Sequence, residues 1–411
     1  MPEFLELLPP SEALGLLMDR LPPVTLAEEE IDTIRALGRV TARPVISPEP
    51  LPGFSRSTVD GYAVRARDTF GASDSLPAYL ALVGEVPMGA SPGFSIGRGQ
   101  AALIHTGGML PDGADAVVML EYTQAARPGE VEMLRAVAPG ENVLQAGEDV
   151  AAGQVVIPAG VRLRPAEIGG LMALGILRVA VVQPPRVAIL SSGDEVVDPA
   201  KPAAPGQVRD VNSYTLSALV EQHGGCPVRY GIIADSREAM RAALRSALDA
   251  CDMVVITAGS SASTRDLTAE VIDEMGEPGV LVHGVNVKPG KPTILAVCGA
   301  KPVIGLPGNP VSALVIAGLF VVPVVERLMG LSQGRVRPVV SARLAVNLPS
   351  QAGREDRVPV KLAYENGVYR ADPIFYKSNL IFSLVQADGM VYIPTAATGL
   401  EAGSEVLVEL L

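Results

Sequence analysis

A chain of 411 residues, at about 150 residues per domain, holds two to four domains and can bury real cores. Hydrophobic residues make up 48%, Gly (42) and Pro (35) fill nearly a fifth, and Asp plus Glu (45) outnumber Lys plus Arg (33) for a net charge of −12. That mixture excludes intrinsic disorder, which needs low hydrophobicity, and an acidic chain without a basic block argues against a nucleic-acid partner.

The three cysteines, Cys226, Cys251 and Cys298, are odd in number and contain no C-x-x-C pair. This argues against a disulfide framework or thiolate zinc site and points to a reducing, cytoplasmic setting. The N-terminus, Met1-Pro2-Glu3-Phe4-Leu5-Glu6, lacks the basic flank and apolar run of a signal peptide. The longest apolar stretch, Ala313 to Val325, contains Gly318 and Pro323 and falls short of the roughly 20 residues of a membrane span. It reads as a buried core helix, with no membrane partner.

Residues 1–52 predict helices over 11–20 and 26–37, the second with a Glu28-Glu29-Glu30 start, and end in the extended Pro44…Pro52 stretch. Residues 53–147 carry short β-like runs, such as 79–83 and 116–119, between Gly/Pro/Asp turns, and predict a β-rich domain. Residues 148–180, with a helix over 165–174, are expected to pack back on 1–52 as one discontinuous N-terminal domain.

Regular alternation begins in the next segment, 181–330. Strand 187–190 precedes a helix from Ser213 with Leu216, Leu219, Val220 and His223 on one face. Strand 228–233 precedes a helix capped by Ser236, with Met240, Leu244 and Leu248 aligned. Strand 253–257, a helix over 264–275, short strands near Leu281, Ile294 and Val303, and a long helix from Pro310 complete the unit. Such alternation implies a mostly parallel, doubly wound sheet with helices on both faces. Residues 331–411 return to short strands and predict a C-terminal β domain.

In an open α/β sheet, ligands bind beyond the carboxyl ends of the strands. Glu195, Asp235 and Asp266 lie at such ends. Each alone reads more readily as a helix N-cap or first-turn acid favoured by the helix dipole; three on one edge repel one another unless a hard cation such as Mg²⁺ is shared with a phosphate-bearing ligand. The same edge carries Gly305-Leu306-Pro307-Gly308-Asn309-Pro310-Val311-Ser312, where Asn309 would be N-cap, Pro310 would occupy N1 and free N–H groups would face an oxyanion. Upstream, Lys288-Pro289-Gly290-Lys291-Pro292 is a stiff turn that can aim two ammonium groups at one point. Acids and lysines on one rim imply a metal–phosphate–anion site.

These residues also carry a resemblance. Leu51-Pro52-Gly53-Phe54, Ser57 to Val64 (STVDGYAV), His105-Thr106-Gly107-Gly108 and the run from Gly113 to Val118 resemble the molybdopterin molybdotransferase family. So do Gly147-Glu148-Asp149, Ser192-Gly193-Asp194-Glu195, the KPGKP loop, LPGNPVS, Gly353-Arg354-Glu355-Asp356 and Lys377-Ser378-Asn379.

The resemblance implies a multidomain fold of α/β and β modules: a central molybdopterin-binding-like α/β domain, a β-rich insertion, an elongated discontinuous N-terminal domain and a C-terminal β-barrel-like domain. It implies insertion of molybdate into adenylylated molybdopterin, with Mg²⁺ and release of AMP. It also implies a homodimer with a shared active site, supplied by a molybdopterin-adenylating enzyme and serving molybdenum apoenzymes. Glu195, Asp235 and Asp266 would hold Mg²⁺ at the adenylate side, with Ser192, Gly193 and Gly259 in the adjoining loops. Lys288, Lys291, Ser312, Arg354 and Ser378 would hold molybdate, Pro307 and Pro310 would shape the wall, and Asp60, Thr106 and Asp149 would come from the second subunit. The chain departs from the family at Leu144-Gln145-Ala146, where arginines are common, and in the loop before Asp266, where Ala258, Ser260 and Ser263 replace a glycine-richer run. The alternatives are a molybdopterin adenylyltransferase, which resembles the α/β domain alone, and a non-catalytic scaffold.

Overall fold

The computed structural model describes residues 7–258, 262–332, 334, 337–375 and 377–411. At its centre is a six-stranded sheet in the order Cys226–Ile233, Arg186–Ser192, Met253–Ala258, Lys301–Pro307, Ile294–Cys298 and Pro278–His283. The first four strands are parallel, Ile294–Cys298 runs antiparallel to both of its neighbours, and Pro278–His283 thus runs with the first four. Strand Arg186–Ser192 is apolar on both faces because both are covered. Val187 and Ile189 pack with Leu216, Ile316 and Phe320. Ala188 and Leu190 pack on the other side with Met240, Leu244 and Val271. Helices Asn212–Gln222 and Pro310–Leu328 therefore cover one face, and helices Arg237–Ala250 and Ala262–Asp273 the other.

Helix Pro310–Leu328 is 19 residues long and apolar, and 61% of its most apolar window is buried inside the molecule as a core element. It is not uniform: Pro310–Ile316 and Val322–Leu328 are α-helical, while Ala317–Val321 is π-helical. Pro323 removes a backbone donor from the helix interior, and a π turn accommodates the gap.

The sequence expectation of a helix over 26–37 is corrected. Glu28–Asp32 is a strand, paired antiparallel with Arg178–Val182, followed by a short 3-10 turn, Thr33–Arg35. Alternate residues of this strand are exposed, so the three glutamates suit a sheet edge, and the partner strand overrides their helical preference. Ala36, Leu163, Leu171, Val179 and Val181 close the small core of this discontinuous unit.

Helix Pro10–Arg20 also differs from the expectation, which grouped it with that unit. Ala13, Leu17 and Leu21 enter the same cluster as Val285 and Phe320 of the α/β unit. The helix needs a deep apolar partner, and the narrow edge strand Glu28–Asp32 offers none. Arg327 Nη2 donates to Leu21 O at 2.9 Å to hold its end.

Residues 53–147 form a six-stranded sheet in the order Ala116–Met119, Gly61–Val64, Gln100–Ile104, Ala78–Glu85, Glu130–Met133 and Thr123–Arg127. In the C-terminal module, strands Glu355–Glu365, Val368–Pro373, Val339–Leu344, Glu405–Leu410 and Gly389–Ile393 close on themselves as a five-stranded barrel. Val360, Ala371, Val391 and Val408 fill it. The multidomain α/β plus β architecture read from the sequence is the one observed.

Candidate active site at the α/β–barrel junction

Strand Arg186–Ser192 ends in a buried polar cluster. Ser191 Oγ donates to Asp210 Oδ1 at 3.0 Å and lies 2.9 Å from Ser213 Oγ and 3.3 Å from Thr257 Oγ1. Asp210 also accepts the Ser213 N–H at 3.0 Å, fixing the start of helix Asn212–Gln222. Ser192 and Gly193 follow, both buried. Glu195 is exposed in the next turn, and Asp235 is half-buried at the end of the neighbouring parallel strand. Burial pushes the Asp235 carboxyl above its usual range; the Ser192 hydroxyl opposes this, while Asp194 and Glu195 push it further up. Asp235 Oδ1 is buried without a hydrogen-bond partner.

Asp266 is exposed on helix Ala262–Asp273, which starts two residues earlier than the sequence suggested, and Gly259 lies outside the described residues. Among the described residues, no group of three His, Cys, Asp or Glu side chains is placed to hold an ion. The expected trio of Glu195, Asp235 and Asp266 is therefore not gathered into a protein cage among the described residues. The donors fit a hard cation completed by ligand phosphate oxygens, with Asp235 as the group most in need of a positive neighbour.

Farther along the same carboxyl edge of the sheet, four motifs far apart in sequence meet. Val287–Lys288 pairs in parallel with Glu355–Asp356 of the barrel, so Lys288 stands opposite Asp356. Gly290, at φ +120°, lies so close to helix Pro310–Ile316 that a Cβ would sit 2.2 Å from Ile316 Cγ1; only glycine fits this crossing. Asn309 Nδ2 donates to Ser378 Oγ at 2.9 Å, and the Val311 N–H donates to Ser378 O at 3.1 Å. The KPGKP loop, LPGNPVS, GRED and KSN thus form one rim. Lys288 and Lys291 are exposed on it; Ser312 and Pro307 are buried, and Pro310 and Ser378 are half-buried.

Two details differ from the sequence reading. Asn309 occupies the N-cap position, but its side chain makes no capping bond and reaches the barrel instead. Arg354 does not point a free guanidinium at the rim: Nε and Nη2 donate to Asp356 at 2.7 and 3.0 Å, and Nη1 to Gln351 at 3.3 Å. Asp356, 3% exposed, lies in the GRED motif without a role assigned from the sequence; its signal is the order Arg354-Glu355-Asp356-Arg357, which sets opposite charges two residues apart on each strand face.

Asp60 and Thr106 meet in the β-rich domain, while Asp149 is held on the GED turn by a separate bond. The Thr106 N–H donates to Asp60 Oδ1 at 2.8 Å and holds that carboxyl below its usual range. His105 joins them, with Nδ1 3.5 Å from Asp60 and Nε2 3.1 Å from Glu85. Gly61 permits this turn, since a Cβ there would lie 2.0 Å from Val118 O. The Gly147 N–H donates to Pro52 O and the Asp149 N–H to Leu51 O, so the PGF and GED motifs share one edge. Gln145, in place of a cation, is tied to Ser55 and Glu148. Among the described residues, no hydrogen bond or ion pair joins residues 53–147 to residues 186–411.

Lysines, buried hydroxyls and carboxylates beyond the strand ends of a doubly wound sheet are groups whose chemistry suits phosphate and oxyanion ligands. Models of the MoeA N-terminal region (domain I and II), a probable molybdopterin binding domain and the MoeA C-terminal region (domain IV) match residues 8–175, 188–327 and 341–411. A molybdopterin molybdenumtransferase of a Nostoc species is 36% identical over 386 residues, covering 92% of this chain and 88% of the relative. That of Haemophilus influenzae is 30% identical over 400 residues, 97% of each. A crystal structure of the molybdopterin biosynthesis MoeA protein from Pyrococcus horikoshii superposes with a TM-score of 0.86 at 33% identity, covering 99% of this chain and 100% of that one. The chain belongs to the molybdopterin molybdenumtransferase family, transferases of molybdenum cofactor biosynthesis.

Proposed function

We propose that this chain inserts molybdate into adenylylated molybdopterin and releases AMP, at the rim where the barrel meets the α/β unit. The supporting observation is the convergence of Lys288, Lys291, Ser312 and Ser378, a cationic and hydroxyl-bearing set suited to a tetrahedral dianion. Arg354 contributes by exchange: an incoming dianion competes with Asp356 for its guanidinium, which matches oxyanions bidentately. Ser192, Gly193, Glu195, Asp235 and Asp266 would take the pyrophosphate side, and Pro307 with Pro310 would wall the two halves.

When bound, Mg²⁺ would neutralise phosphate charge beside Asp235, Glu195 and Asp266. Asp235, raised by burial and its acidic neighbours, would then be held ionised and would orient the phosphate. Asp60 is preorganised by Thr106, and among the described residues neither it, Thr106 nor Asp149 has a hydrogen-bond partner in the α/β unit of its own chain. We assign them to the site of a second subunit in a cytoplasmic homodimer.

The test is purified protein with adenylylated molybdopterin, Mg²⁺ and molybdate, read as AMP release together with activation of a molybdenum apoenzyme. Formation of adenylylated pterin from ATP and molybdopterin instead would favour an adenylyltransferase.

A further inference from the structure

The helix that begins at the anion rim is interrupted about two turns later, and the interruption is filled from the barrel side. In the π segment Ala317–Val321, the Val322 N–H donates to Ala317 O, five residues back. In that register the Gly318 carbonyl faces the position of the next N–H, which Pro323 lacks. Arg337 supplies the donor, with Nη2 2.6 Å from Gly318 O. Its Nη1 pairs with Glu409 on strand Glu405–Leu410. Glu409 lies 3.5 Å from Arg357, whose Nε donates to Glu355 at 2.7 Å. Glu355 stands between Arg354 and Asp356 and opposite Val287 in the pairing that closes the rim. These groups line a cleft of about 510 Å³ between helix Pro10–Arg20, the π segment and the barrel.

We infer that Arg337 is a positioning residue for the anion rim, fastening the barrel to helix Pro310–Leu328 so that Arg354 and Ser378 stay aligned with Lys288, Lys291 and Ser312. The rim is divided between two bodies. Its direct links are the pairing of Val287–Lys288 with Glu355–Asp356, the bonds of Asn286 to Gly353 and Glu355, those of Asn309 and Val311 to Ser378, and the apolar contact of Val311 with Leu384 and Met390, all near the first turns of the helix. Arg337 adds a polar link farther along the same helix, where it resists tilting of the barrel about that junction. Displacements of an ångström at a reacting centre cost up to about a hundredfold in rate, so a distant fastener matters to chemistry. What the rim binds rests on the transferase reading above; how the rim is held does not.

The test compares the full-length wild type with Arg337→Ala, Pro323→Ala and the double variant. Pro323→Ala restores the backbone N–H that Gly318 O lacks and so separates capping of that carbonyl from fastening of the barrel. Hydrogen–deuterium exchange of peptides covering 309–314 and 353–358 reads the junction without activity. Expected for Arg337→Ala are faster exchange in both peptides and a roughly 3- to 30-fold rise in half-saturating molybdate, with binding of adenylylated molybdopterin unchanged; both effects persist in the double variant. Unchanged exchange, rescue of both effects by Pro323→Ala, or faster exchange with unaltered molybdate dependence would each overturn the inference. A wild type that transfers no molybdate would overturn the transferase reading alone, and the exchange comparison would still decide whether Arg337 holds the rim.

Discussion

Lys288 and Asp356 face each other across a parallel strand pairing that joins the α/β unit to the barrel. Asp356 is buried and holds Arg354 through two hydrogen bonds, beside the short strand that carries Lys288. The rim is therefore preloaded with an internal anion that a stronger external dianion can compete with for Arg354.

Lys291 is exposed on the same loop and should act on the dianion directly. A charge-assisted hydrogen bond contributes about 1.5–3 kcal/mol, so Lys291→Ala should weaken molybdate use roughly 10- to 150-fold. Titration with molybdate at fixed Mg²⁺, and with Mg²⁺ at fixed molybdate, separates the two ends. A change confined to the Mg²⁺ curve would remove this loop from the anion.

Asp235 gives a pH signature. Its native carboxyl keeps its proton to higher pH than the unfolded chain does, through burial and the Asp194 and Glu195 carboxylates. The native state thus binds more protons across that window, and this group's contribution to stability falls as pH rises through it. Asp235→Asn should be more stable than the wild type at pH 8 and lose the advantage near pH 4, in urea melts. Mg²⁺ should raise the thermal midpoint of the wild type more than that of the variant. An Asn variant less stable at pH 8 would contradict the assignment.

The cysteines should be spectators. Burial pushes the Cys298 thiol up to about 11, and it donates to Ile272 O at 3.4 Å; Cys251 is also buried, and only Cys226 is exposed. Iodoacetamide at pH 8 should alkylate Cys226 alone in the native protein and all three in denaturant. The triple Cys→Ser protein, if folded, should retain metal transfer.

Asp60→Ala and Asp266→Ala should each be inactive as homodimers if the site is shared between subunits. Mixed heterodimers should regain activity, since one site in each keeps both intact halves. Confirmed heterodimers without recovery would count against a shared site.

Much of this arrangement is legible in the sequence. Strand–helix alternation over 181–330 reports burial on both sheet faces, and motifs such as KPGKP and LPGNPVS carry their own turn chemistry. Glu28–Asp32 misleads because its partner, Arg178–Val182, lies far along the chain and local propensity contains no trace of it. The same limit hides the Arg354–Asp356 fork's role, the Asn309–Ser378 contact and the Arg337–Gly318 bond: each depends on where the barrel docks. Helix Pro10–Arg20 was readable as a helix, yet its host was not, since an apolar stripe names no partner.

The most direct measurement follows AMP release and molybdenum incorporation in parallel, with purified protein, adenylylated molybdopterin and Mg²⁺, as molybdate is raised from zero. The account predicts that both rise together and saturate together, and that Lys291→Ala shifts both curves to higher molybdate by the same factor. AMP release that is independent of molybdate, with no metal in the product, would contradict it.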